Sequence, residues 1–188
     1  MAIFVNYYPC SYGDSLVSMF NGTRKKRYKN IVVLNSKSFW FKHLDFYKAT
    51  PQQQQQLLLQ LNPKSIIGGH RQYQFDFGHN HKVISIVLDH APWFAARFKA
   101  VHIDQRKKNL SNLKLLQLQH KIPMHDLIWH DYQQWAKVNI LNTDLQLPFS
   151  LLKNPAQFKE FCKLHGLKYF QSAVDEILHN TLQYNETH

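Results

Sequence analysis

The run Tyr8-Pro9-Cys10-Ser11-Tyr12-Gly13-Asp14-Ser15 has the spacing of a phosphate-cradling loop, G-x-x-x-x-G-K-S/T. In such a loop backbone N–H groups and the amino end of a helix hold the phosphate, and a lysine neutralises it. Here Tyr8 stands at the first glycine and Asp14 at the lysine. What remains is Gly13, the hydroxyls of Ser11 and Ser15, and the N–H groups of a turn. The same run also reads as a plain strand-to-helix corner in which Asp14 or Ser15 caps the helix that follows.

Two further places carry chemistry. His70 follows Gly68 and Gly69 at the end of an apolar run, where missing Cβ atoms would let a ligand approach the backbone. An imidazole titrates near neutral pH, which suits a general base that deprotonates a hydroxyl. A strand-end histidine bonded to backbone is the structural alternative. The stretch 104–109, Asp-Gln-Arg-Lys-Lys-Asn, places Arg106, Lys107 and Lys108 after an apolar run, with Ser111 just beyond.

The 12 histidines are scattered, with no H-E-x-x-H pattern, and Cys10 and Cys162 lack metal-ligand spacing, so no metal site is expected. Two cysteines make no disulfide framework and read as reduced thiols of a cytoplasmic protein. The formal net charge is +11, from 23 Lys and Arg against 12 Asp and Glu. That excess points to an anionic partner: nucleotide, nucleic acid, acidic glycan or anionic lipid. The apolar runs are too short to span a bilayer, and the N-terminus has no signal-peptide pattern.

The elements that must position these residues alternate between strand and helix. Strands are expected at 2–8, 30–35, 64–75, 82–88 and 100–104, with strand or extended chain at 140–149. Helices are expected at 14–22, stopped by Asn21 and Gly22, and at 50–63, 91–99, 109–121 and 124–139. Two more are expected at 154–166, between Pro155 and Gly166, and at 172–182. The spacing of Trp129, Tyr132 and Trp135 fits a helix face turned to the core, with a substrate platform as the other reading. The basic run 23–29 reads as a solvated loop. The whole, residues 1–188, reads as a single α/β domain with a mainly parallel sheet and helices on both faces. Sheets of that kind bind ligands at the carboxyl ends of their strands.

Three stretches, in order, resemble the sulfotransferase family over a minority of the chain. The corner 8–17 is similar to the family's Y-P-K/R-S-G-S/T-T-W/L loop. The stretch 66–73, Ile-Ile-Gly-Gly-His-Arg-Gln-Tyr, is similar to its strand ending in a Gly-His or Thr-His pair. The stretch 147–167 is similar to its late segment, an extended element followed by a proline-started helix ending in Gly-Leu. The resemblance implies a three-layer, P-loop-like α/β fold and a donor, 3′-phosphoadenosine 5′-phosphosulfate, acting without a metal. It puts the phosphosulfate on Ser11, Tyr12, Gly13, Asp14, Ser15 and Leu16, and makes His70 the catalytic base toward an unidentified hydroxyl or amine acceptor.

The family also binds the donor's 3′-phosphate through an arginine after a strand and a serine about two turns later. One register sets Leu88 and Ala96 at those places; the other, preferred for its basic cluster, sets Arg106 and Ser111. Cys10 replaces the family's basic loop residue, and the late Arg-Lys-Gly element has no match. Arg71, Lys107 or Lys108 are the candidates to supply the missing charge. The alternatives are a catalytically inactive nucleotide- or anion-binding protein of the same fold, a basic nucleic-acid-binding protein, and a nucleoside-phosphate kinase with an aberrant loop.

Overall fold

A computed structural model describes residues 2–8, 11–22, 66–69, 81–89, 123–140 and 143–186, together with Thr50 and Gln52. The expected strands at 30–35 and 100–104 and the helices at 91–99 and 109–121 lie outside the described residues. So does the helix at 50–63 beyond those two positions.

Strand β1 is Ala2–Asn6, β2 Ile66–Gly69, β3 His81–Val87 and β4 Leu145–Pro148. They form one parallel sheet in the order β2-β1-β3-β4. The β-branched residues Val83, Ile84, Ile86 and Val87 of β3, with 83–86 all buried, suit a strand packed on both faces. Helices α1 (Gly13–Phe20), α2 (Met124–Asn139), α3 (Pro155–Leu164) and α4 (Gln171–Glu186) surround the sheet. A 3-10 segment, Phe149–Lys153, follows β4 directly. The last helix runs beyond both expected ends.

Side chains alternate along β1, so its two faces meet different helices. On one face a Cβ at Gly68 would lie 2.7 Å from both Tyr7 Cε1 and Val17 Cγ2, which brings α1 against the strand ends. On the other, the Asn6 Nδ2 donates to the carbonyl of Asn139 in α2. The core joins Ile3 and Val5 of β1 with Ile84 and Ile86 of β3, Leu147 of β4, and Leu16, Met19 and Phe20 of α1. Phe158, Cys162, Val174 and Ile177 of α3 and α4 extend it.

Local signals bound α1 and α3 as expected. The Nδ2 of Asn21 donates to the Val17 carbonyl (3.0 Å) and the Ile66 carbonyl (2.8 Å), so the residue that stops α1 also ties it to β2. Asn154 Oδ1 accepts the Gln157 N–H at 3.3 Å, with Pro155 opening α3. At the other end Gly166 takes φ +67°, the Gly166 N–H donates to Lys163 O (3.2 Å), and the Leu167 N–H to Cys162 O (2.8 Å). That is a Schellman termination, with Leu167 and Cys162 both buried in the same core.

Candidate functional site

Between β1 and its later neighbours β2 and β3 the chain reverses its direction of travel across the sheet, so a topological switch point lies at the carboxyl end of β1. The corner that joins β1 to α1 stands there.

The corner is shaped by tyrosines. The Ser11 N–H and hydroxyl both donate to the Tyr8 carbonyl, at 3.2 and 2.6 Å, so this buried hydroxyl is spent on closing the turn. Tyr12, rather than Asp14 or Ser15, occupies the N-cap position of α1, with left-handed backbone (φ +59°, ψ +16°) and no side-chain cap. That conformation costs an L-residue roughly 1–2 kcal/mol. Its ring is buried and stacks on Phe149, centroids 6.2 Å apart at 29°.

Gly13 is needed because Tyr7 is there: a Cβ at Gly13 would fall inside the Tyr7 ring. The Tyr7 hydroxyl donates to Asp14 Oδ1, which ties that carboxylate to the side of α1 facing β2. Ser15 is half-buried, and Leu16 is wholly buried with its N–H donated to Tyr12 O at 3.0 Å. The amides of Gly13, Asp14 and Ser15 therefore form the first turn, where a helix has N–H groups without intrahelical acceptors. Of the six residues expected to cradle the phosphosulfate, these three keep a backbone donor for it.

Close approach to the backbone at Gly68 is made by the protein's own Tyr7 and Val17 rather than left open. His70, Arg106 and Ser111 lie outside the described residues, as do Cys10, Arg71, Lys107 and Lys108. Leu88, the other candidate position for the 3′-phosphate ligand, is buried at the end of β3, and its N–H donates to the Tyr132 hydroxyl at 2.9 Å.

Asp89 and Asp131, which spacing rules did not single out, complete the rim with Tyr8 and the helix face of Tyr132 and Trp135. Tyr8 donates its hydroxyl to Asp131 and packs edge-on against Tyr132 and Trp135, both at 5.4 Å. Burial first, and then the nearby Asp89 carboxylate, push the Tyr132 phenol up, while the Leu88 N–H works the other way. Asp89 accepts the Ser150 N–H with both oxygens at 3.1 Å and so caps the 3-10 segment. Trp129 and Trp135 are half-buried against this cluster, which favours the core-facing reading of that helix face. Adjacent tyrosines at a strand end were the available signal: side chains there alternate to opposite faces, and each phenol needs a partner when buried.

The described rim thus carries Asp14, Asp89 and Asp131, each holding a donor, while most of the basic residues fall in 23–49 and 97–121. Among the described residues no group of His, Cys, Asp and Glu is arranged to hold a metal ion, and no helix is long and apolar enough to cross a membrane. Compared with known proteins, the chain matches no family model and no curated protein.

Proposed function

We propose that this protein binds 3′-phosphoadenosine 5′-phosphosulfate at the β1–α1 corner and acts as a compact, P-loop-like, three-layer sulfotransferase. The observation that carries this reading is the placement of the corner. A helix N-terminus at the switch point of a parallel sheet is the arrangement that favours an anionic phosphate group. The amides of Gly13, Asp14 and Ser15 would hold the phosphosulfate. Tyr7 favours this by holding the Asp14 carboxylate on the β2 side of the helix, so its charge is tied to a donor.

In the reaction the acceptor oxygen or nitrogen attacks sulfur in line. The bond from sulfur to the bridging phosphate oxygen breaks, and His70 takes the acceptor's proton. Charge on the departing phosphate is stabilised by the corner amides and by Arg71, Lys107 or Lys108, with Arg106 and Ser111 serving the 3′-phosphate.

The plugged rim favours a second reading, an anion-binding protein of the same fold without turnover, because Tyr12, Phe149 and Leu88 are buried together where the donor would lie.

Calorimetric titration with adenosine 3′,5′-bisphosphate tests the binding site. Binding is expected, and it is expected to be lost in Ser15→Glu, which puts a negative charge at the corner while remaining favourable for the helix N-terminus. No heat of binding at millimolar ligand would sink both readings. Where binding is found, donor turnover that vanishes in His70→Ala marks the enzyme, and absence of turnover in the unsubstituted protein marks the binder.

A further inference from the structure

The least comfortable residue at the rim is Tyr12. Bulky residues avoid positive φ, yet Tyr12 holds φ +59° at the position that opens α1, where its side chain makes no capping hydrogen bond. Its ring is buried and stacks on Phe149.

Phe149 follows β4, and the β3–β4 register Val87↔Pro148 sets it level with Leu88. Because β3 lies between β1 and β4, a contact from the β1 corner to Phe149 passes over the carboxyl end of β3. The Tyr12 ring therefore lies across the crevice between β1 and β3, where open α/β sheets take their ligands. Backbone strain pulls this residue toward an ordinary conformation and ring stacking pulls it back. A residue held in a strained conformation by packing is the kind of element whose balance a ligand can bias.

We propose that Tyr12 is a displaceable plug of the nucleotide crevice: stacked on Phe149 it closes the site, and the phosphate-bearing ligand binds only when the ring swings out. This rests on the reading that the corner takes a nucleotide. It explains why a corner built for an anion is filled by the protein's own side chains. The plug gives the site a binding threshold, because apparent affinity falls by the fraction of molecules that are open.

The test compares adenosine 3′,5′-bisphosphate binding in the unsubstituted protein, in Tyr12→Gly and in Phe149→Leu. Glycine adopts the left-handed conformation without strain, so Tyr12→Gly removes the ring and keeps the corner. Phe149→Leu leaves the corner untouched and removes only the stacking partner, and it decides the matter if Tyr12→Gly does not fold. Affinity should rise about tenfold or more in Tyr12→Gly, and in the same direction in Phe149→Leu. Ring resonances of Tyr12, identified by their loss in Tyr12→Phe, should lose the shift caused by Phe149 when ligand is added. Equal affinity in all three proteins overturns the plug and leaves the nucleotide reading standing. Weaker binding in the variants also overturns it and makes the ring a ligand contact. No binding in any of them overturns the nucleotide reading and the plug with it.

Discussion

The ring of Tyr7 occupies the space in which a side chain on Gly13 would stand. It does the same at Gly68, where an added Cβ would lie 2.7 Å from Tyr7 Cε1. One tyrosine thus joins the end of β1, the start of α1 and β2, with its hydroxyl on Asp14. Both glycines answer to packing. Gly13→Ala is expected to destabilise the protein by about 1–3 kcal/mol through overpacking. Because the collision is with one ring, Gly13→Ala and Tyr7→Leu should couple by more than about 0.5 kcal/mol in a double-mutant cycle followed by urea unfolding. Additive effects would refute the slot. Ligand affinity in glycine variants of this corner reports folding as well as binding, which is why Ser15→Glu is the cleaner probe.

The Tyr132 hydroxyl accepts the N–H of Leu88, a buried residue one step past β3. Tyr132→Phe leaves that amide without its partner, at an expected cost of about 1–3 kcal/mol. An unchanged denaturation midpoint would mean that water replaces the phenol. Spectrophotometric titration should show this phenol ionising above the ordinary tyrosine range, since burial is the largest influence on it.

Cys162 lies wholly inside the α3 side of the core, and burial pushes its thiol up to about 12. The thiolate is the reactive form. In a Cys10→Ser background the folded protein should therefore resist alkylation at mildly alkaline pH and react only when unfolded. Rapid labelling of the folded protein would contradict the burial of Cys162.

Lys82 Nζ donates to His165 Nδ1 at 2.8 Å, beside the Phe161 ring. Burial, and then the lysine charge, hold the imidazole below its ordinary pKa. The unfolded chain consequently binds more protons than the folded one between the two values. Stability contributed by the neutral imidazole is complete above the ordinary value of about 6.5 and is lost as pH falls through it toward the folded value. His165→Gln should lose less stability than the unsubstituted protein between about pH 7.5 and 5.5 in parallel thermal melts. Equal losses would remove His165 from the account.

Much of the framework was legible along the chain because its signals are local. Pro155 and Gly166 bracket α3, Asn21 and Gly22 stop α1, and the β-branched run of β3 reads as a strand without any neighbour. Parallel pairing also followed from the alternation of strands and helices. The corner was legible as a place but not as a surface. Asp14 and Ser15 are both good capping residues by type, and the left-handed N-cap falls instead on Tyr12, against its own preference.

That difference has a physical cause. Among the described residues, sequence alone determined that the segments of β1, β3, α1, α2 and α3 become strands and helices, where α1 and α3 end, and that one strand-to-helix corner lies at the carboxyl side of a parallel sheet. Those outcomes depend on residues a few positions apart. Only the tertiary structure decided that Tyr7 fills Gly13 and Gly68, that Tyr8 reaches Asp131 and that Tyr12 lies on Phe149. The last two partners are more than a hundred residues away along the chain. They meet because strand order brings β4 and α2 to the end of β1, and no local preference of a tyrosine encodes that order.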